Sequence, residues 1–190
     1  MENIRVKTGY NNMFVVDSID RNGGLALFWN KEVDVEKKNY NQRHINVEVC
    51  SEPSGQAWKF TGFYGNFEPR KWRKGWSLLR YLSSLNLQAW LYLSDFNEIT
   101  EDSEKFGAAL RHRWQMENFN NTLALCRLQD LGYLGAKFTW CNYREDDHFI
   151  QERIDRAMAT PEWSDLFPVK VEVLANRSSD HPPLLISFKK

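Results

Sequence analysis

With 190 residues, 42% of them hydrophobic and 14% aromatic, the chain has the apolar mass to bury one sizeable core, which excludes a disordered segment. Lysine plus arginine and aspartate plus glutamate number 25 each, so no global basic field draws the chain to a polyanion, and such a contact must come from a local patch. Cys50, Cys126 and Cys141 are too widely spaced for a disulfide framework or a zinc site; with no signal-peptide core and no apolar run of about 18 residues, an intracellular chain with no membrane span and no disulfide-linked partner is expected.

Residues 2–9 read as a weak helix stopped by Gly9. Met13 to Asp17 and Leu25 to Trp29 read as two strands, with Asn22-Gly23 between them supplying the positive-φ positions of a tight hairpin. Val33 and Val35, then Ile45, Val47 and Val49, alternate with polar residues, and the segment from Trp58 to Gly65 does the same with aromatics. The first third is therefore predicted to be an antiparallel meander. After Glu68-Pro69 the period changes: Trp72, Trp76, Leu79, Leu82 and Leu85 recur on one helical face over residues 71–85. Ala89 to Leu93 is then an uninterrupted apolar run, which suits a strand covered on both faces, and it stops on Ser94-Asp95-Phe96-Asn97-Glu98.

Between Trp114 and Leu128 a second helix carries Met116, Phe119, Leu123 and Cys126 on one stripe, read as core. Lys137 to Cys141 and Phe149 to Asp155 flank the charged turn Arg144-Glu145-Asp146-Asp147 and predict a hairpin. Thr160-Pro161-Glu162 opens a short helix, with Thr160 as cap and Pro161 in the first helical position. Val169 to Leu174 and Leu184 to Phe188 are the last strands, joined by the polar loop Asn176-Arg177-Ser178-Ser179-Asp180-His181-Pro182. No repeat or linker divides the chain, so residues 1–190 are expected to be a single domain.

Polar groups recur at strand ends or in the loop before a strand: Asp95 with Asn97, Asp155, and Asp180 with His181. Each could be only a turn or a helix cap. Together they are the parts for metal-assisted attack of water on phosphorus, in which carboxylates hold a hard cation and orient water while an amide and an imidazole stabilise charge on the phosphorane. Arg70 to Lys74 and Arg111-His112-Arg113 are the two local basic patches, although a short charge cluster of this kind is more often a solvated helix face.

In that order Phe63-Tyr64-Gly65, Ser94-Asp95-Phe96-Asn97-Glu98, Phe138-Thr139-Trp140, Arg153-Ile154-Asp155-Arg156 and Ser179-Asp180-His181-Pro182 resemble the endonuclease/exonuclease/phosphatase superfamily. Gly23-Gly24-Leu25-Ala26-Leu27-Phe28-Trp29, Trp114-Gln115-Met116-Glu117-Asn118-Phe119 and Gln151 to Ala157 are similar to the endonuclease-like domain of plant non-LTR (LINE-type) retrotransposon polyproteins. The resemblance implies an α/β (α+β) four-layer sandwich, with two mixed β-sheets face to face, helices outside and the site at one end of the sheets. It also implies an Mg-dependent phosphodiesterase of the DNA endonuclease type, with the phosphodiester backbone of target-site DNA as partner and the nucleus as a candidate location. Alternatives are a non-catalytic transposon remnant that keeps only the fold, and a phosphomonoesterase acting on lipid or sugar phosphates.

By the same resemblance Asp95 would orient or deprotonate the water, Asn97 would hold a phosphate oxygen and Tyr64 would contact the phosphate or the leaving oxygen. Asp155 would bond His181, His181 would stabilise the phosphorane, Asp180 would help position the metal, and Asn142 and Arg177 would bind substrate. Two departures stand out. Ser94 occupies a place where the family has Gly, adding a Cβ and a hydroxyl at a strand end. The family's opening strands, which carry an Asn and a metal-binding Glu, have no counterpart before Met13, and Glu2 is not read as a substitute. The domain is thus expected to be N-terminally incomplete, lacking its first strands, impaired in activity and poorly soluble through an uncovered sheet edge.

Overall fold

Alternation over three successive strands and one βαβ step generate the central sheet. The computed structural model describes residues 1–18, 24–51, 56–65, 72–85, 89–145, 147–176 and 179–188. Strands β1 (Asn12–Val16) and β2 (Leu25–Trp29) pair antiparallel, from Asn12 opposite Trp29 to Val16 opposite Leu25, as the sequence predicts; the Asn22-Gly23 turn between them lies outside the described residues. Helix α1 (Glu2–Thr8) precedes them, ends on Gly9 at φ 79° and buries none of its residues.

Strands β3 (Asp34–Asn41), β4 (His44–Ser51) and β5 (Gln56–Tyr64) form the predicted antiparallel meander. Helix α2 (Trp72–Ser84) then crosses over to β6 (Trp90–Asp95), which lies parallel to β5. Downstream come β7 (Lys105–Phe106), α3 (Arg113–Leu125), β8 (Gln129–Asp130), β9 (Leu134–Gly135), β10 (Trp140–Cys141), β11 (Gln151–Glu152), β12 (Asp155–Ala159), α4 (Pro161–Leu166), β13 (Val169–Val173) and β14 (Leu184–Phe188). The main sheet has the order β3-β4-β5-β6-β12-β8, so β6 is flanked on both sides, parallel by β5 and antiparallel by β12. That is why an unbroken apolar run was needed there.

Successive side chains of each central strand divide between two cores. On one face Trp90, Tyr92, Phe63 and Met158 meet Trp76, Leu79 and Leu82 of α2 and Phe119 and Leu123 of α3, with the Trp76 and Phe119 rings stacked at 4.8 Å. On the other face Val47, Trp58, Leu91 and Ala159 meet Val16, Trp163 and Phe167, with Leu25, Leu27 and Val169 at the margin. The sandwich is thus mixed α/β, with helices over one side of the sheet. Its facing layer among the described residues comes as two separate sheets, β1-β2 and β14-β13-β9.

Three local details differ from the sequence reading. Leu85 follows the end of α2 and is exposed, so it does not belong to the buried stripe; Leu78 packs against that core in its place. The predicted strand from Phe149 to Asp155 is two strands in different sheets, β11 paired with β10 and β12 paired with β6. Thr160 stands at the N-cap of α4, yet its hydroxyl accepts a hydrogen bond from the Trp90 amide at 3.1 Å, tying the helix to β6 instead of closing its own first turn.

Candidate active site

Strand pairing alone brings the acidic residues together. Tyr64 lies opposite Asp95 across β5 and β6, and Asp95 lies opposite Asp155 across β6 and β12, so all three side chains leave the same face of the sheet at the same end. Two carboxylates directly opposite one another repel, a cost relieved by a nearby positive charge or by a proton on one of them. His181, in the loop before β14, supplies part of that charge: its Nδ1 is 2.9 Å from Asp155 Oδ2. Ligand atoms of Asp95, Asp155 and His181 lie within 4.8 Å of one another.

The titration behaviour follows from these positions. Burial, and next the charge of Asp155, push Asp95 up to about 7, while His181 and the Asn97 hydrogen bonds pull the other way. For His181 burial acts downward, but the Asp155 hydrogen bond and the charges of Asp155, Asp95 and Asp180 outweigh it, and the imidazole is raised above its usual value. Burial, then the charge of Asp95, also raises the Tyr64 phenol, against an opposing effect of Arg43.

Asn97 sits at φ 56°, in the left-handed region that Asn tolerates better than most residues. Its amide N–H donates to Asp95 Oδ1 at 2.9 Å and its Nδ2 donates to Asp95 Oδ2 at 3.1 Å and to Gly65 O at 3.3 Å. The turn reading of Asp-x-Asn therefore holds together with the functional one: Asp95 closes the turn that carries Asn97. Gly65, given no role by sequence reasoning, is where this turn meets β5, its N–H donating to Asp95 O at 2.7 Å. A Cβ on Gly65 would stand 2.3 Å from Phe96 O and 2.9 Å from Asp95 O, both backbone atoms. Gly65→Ala should therefore cost about 3 kcal/mol, the upper end of overpacking penalties. Thermal denaturation measures this, and an unchanged melting temperature would show that the turn can move aside.

The remaining signature residues turn out to be supports. Thr139 Oγ1 accepts the Ile154 N–H at 3.0 Å and the Asp155 N–H at 2.8 Å, at the point where the chain leaves β11 and enters β12. Arg153 and Arg156, on either side of Asp155, enter a buried ion lattice with Glu104 and Asp130. Arg153 grips both Asp130 oxygens at 2.8 and 2.9 Å and Glu104 at 2.9 Å, and Arg156 bonds Asp130 at 2.7 Å and also Glu104. With Arg156 and Glu104 both buried, the lattice fixes the strand that presents Asp155. Sequence reasoning missed Glu104 and Asp130; no motif marks them, and only the fold brings them to the two arginines.

Asp180 is exposed, and its Oδ2 accepts the Trp140 indole N–H at 3.1 Å; it is not one of the three clustered groups. Asn142 closes the turn after β10, donating to His148 O at 2.6 Å and accepting from Ile150 N–H at 3.0 Å. Arg177 lies outside the described residues, as do Arg70 and Lys71 of the first basic patch. In the second patch Arg111 pairs with Glu152 at 2.7 Å and Arg113 with Glu117 at 2.9 Å, so both cations are engaged within the protein. Ser94 is buried on the sheet face opposite Asp95, beside Phe63 and Arg156, so its side chain does not enter the site; its hydroxyl has no hydrogen-bond partner among the described residues.

No protein-family model and no curated protein matches the chain. Solved structures do, and the fold they share with it is the endonuclease/exonuclease/phosphatase sandwich. The endonuclease domain of TRAS1, a telomere-specific non-LTR retrotransposon, aligns with a TM-score of 0.73 at 14% identity, over 94% of this chain and 80% of that one. The mannosyl-6-phosphatase Bt3783 of Bacteroides thetaiotaomicron aligns at 0.64 and 17% identity, over 100% and 80%. AP endonuclease LMAP from Leishmania major aligns at 0.67 and 10% identity, over 91% and 68%.

Proposed function

We propose that the chain is a divalent-metal-dependent phosphodiesterase of retrotransposon origin that nicks DNA, with turnover limited by weak metal binding. The observation that carries this reading is the facing pair Asp95 and Asp155 with His181 held by Asp155. Mg²⁺ takes one or two carboxylates plus substrate oxygens and water, and the opposed carboxylates of Asp95 and Asp155 fit that demand. Asp95 and Asp155 would hold the ion, with Asp180 as a further carboxylate near His181; when bound, it would supply Lewis-acid stabilisation of phosphate charge. Two clustered carboxylates among the described residues are a sparse set, which is the basis for weak binding. Glu2, exposed and paired with Arg5 at 2.5 Å, does not enlarge the cluster.

The chain's own groups account for the rest. Asp155 holds the His181 ring through Nδ1, leaving Nε2, which has no hydrogen-bond partner among the described residues, to donate to a phosphate oxygen while the imidazole is protonated. Asp95 stands where a carboxylate would orient the attacking water. The Tyr64 hydroxyl faces the same end and would contact the phosphate or leaving oxygen, and Asn142 and Arg177 are the proposed outer contacts to the substrate strand. DNA as the partner is supported by a TRAS1-like fold, and it requires action inside the cell where that DNA lies.

Plasmid nicking in millimolar Mg²⁺ tests the reading: slow conversion of supercoiled to open-circular DNA is expected, abolished by chelator and reduced about 10² to 10³-fold in His181→Ala. Hydrolysis confined to sugar or inositol monoesters would replace the DNA reading with that of a phosphomonoesterase. The sparse carboxylate set favours a second reading, a non-catalytic remnant, and equal rates for the wild type and His181→Ala would establish it.

A further inference from the structure

Among its described residues, the loop between β13 and β14 that carries His181 has no strand or helix of its own, so its position is set by what it touches. At its base the Leu174 N–H donates to Pro183 O at 2.9 Å. Its tip is fastened to β10 and the residues just beyond. The Cys141 N–H donates to Asp180 O at 3.2 Å, the Trp140 indole N–H to Asp180 Oδ2 at 3.1 Å and the Tyr143 hydroxyl to Ser179 O at 3.0 Å. Ser179 in turn accepts the His181 N–H on its Oγ at 3.1 Å. A chain of contacts therefore runs from Tyr143 through Ser179 to the residue whose ring Asp155 holds.

The backbone at Tyr143 is shaped for this contact. Asn142 Oδ1 accepts the Arg144 N–H at 3.3 Å and closes a turn in which Tyr143 sits at φ 50°, a left-handed conformation that bulky side chains rarely adopt. The ring is largely exposed, so packing does little to offset that conformation. Its hydroxyl, by contrast, is engaged twice by the loop, donating to Ser179 O and accepting from Asn176 Nδ2 at 2.8 Å. Backbone held in a sparsely populated region, with its surroundings fixing it there, is where a functional role is to be sought. Four residues earlier, Thr139 Oγ1 accepts the Asp155 N–H at 2.8 Å. Residues 139–143 thus grip both members of the Asp155–His181 pair, one through its main chain and the other through its loop.

Resting on the DNA-nicking function, we infer that Tyr143 is a positioning residue, which acts through Ser179 to hold the His181 ring where Nε2 meets the phosphate and does not itself bind substrate. The bond from His181 to phosphate strengthens as charge develops in the transition state, so a displaced imidazole lowers turnover and leaves ground-state binding alone.

The test compares the full chain with Tyr143→Phe, which keeps the ring and loses the hydroxyl, with Ser179→Ala, which breaks the next link, and with the double variant. Circular dichroism checks the fold of each. On an oligonucleotide duplex in Mg²⁺, Tyr143→Phe should lower kcat about tenfold with KM unchanged. The double variant should fall no further than the worse single one, because the two groups act in series, whereas independent effects would multiply. In metal-free protein the His181 amide, followed by NMR, should exchange with solvent about tenfold faster in Tyr143→Phe than in the wild type. A raised KM with unchanged kcat would make Tyr143 a substrate contact and overturn the positioning role, as would multiplied losses in the double variant. If the wild type cuts no DNA, the nicking function falls by itself; faster His181 exchange in Tyr143→Phe would then still uphold the positioning of the loop, and unchanged exchange would overturn it.

Discussion

Asp155→Asn is expected to drop the His181 pKa below its present raised position and to cut DNA nicking at neutral pH by about 10² to 10³-fold. Burial already works against the imidazolium, and it is the Asp155 hydrogen bond and charge, helped by Asp95 and Asp180, that reverse the balance. An amide in place of the carboxylate removes the nearest negative charge and lets burial prevail. Because the folded pKa is raised, the pair's contribution to stability is complete below the unfolded pKa of 6.5 and is lost as pH rises through the folded one. The variant should therefore lose stability mainly on the acid side of neutrality. NMR titration of the four histidines, in metal-free protein, reads the shift directly. A His181 titration unmoved by Asp155→Asn would break the link between the two residues.

Glu98→Gln should raise thermal stability at pH 8 and leave it nearly unchanged at pH 5. Glu98 is fully buried one residue beyond Asn97. Its Oε1 accepts the Ile99 N–H at 3.0 Å and stands 4.0 Å from Arg111 Nε, while Oε2 has no hydrogen-bond partner among the described residues. Burial pushes the carboxyl up to about 7, against the pull of Arg111, from an ordinary 4.5. A carboxyl raised on folding favours the native state at low pH, so stability falls as pH climbs from 4.5 to about 7 and stays low above that. The loss is ~3 kcal/mol at 1.36 kcal/mol per pH unit. The glutamine keeps the acceptor for Ile99 and has no charge to bury, so a gain of about 6 to 12 °C is expected at pH 8. Equal shifts at both pH values would mean that the buried charge is not the cause.

Much of the framework could be read from the sequence because each element depends on its own pattern. The meander shows in the alternation of Ile45, Val47 and Val49, β6 in its unbroken apolar run, and α3 in the stripe Met116, Phe119, Leu123 and Cys126, all of which are buried. The division of Phe149 to Asp155 between two sheets was hidden because the cause is a hydroxyl some fifteen residues away, at Thr139. The divided facing layer was hidden too, since strand patterns reveal which residues are buried and not which strands become neighbours. In the site, the resemblance foretold the bond between Asp155 and His181, which the fold makes at 2.9 Å. Glu104 and Asp130 carried no such signal: no motif marks them, and they meet Arg153 and Arg156 only once the sheet has formed.

The crossing from β11 to β12 takes two residues, Arg153 and Ile154, pinned by one hydroxyl. Along this stretch polarity alternates: Asp155 goes to the site, while its neighbour Arg156 goes to the ion lattice on the opposite face. Sheet parity makes that arrangement intolerant of length changes. Deleting a single residue between Glu152 and Asp155 would bring Arg156 into the row facing Asp95 and turn the carboxylate inward against Glu104 and Asp130. The sign of the site would invert and two acids would lose a cation at once. Genes descending from this one can therefore exchange residues in the crossing, but not add or remove one, and still preserve the chemistry.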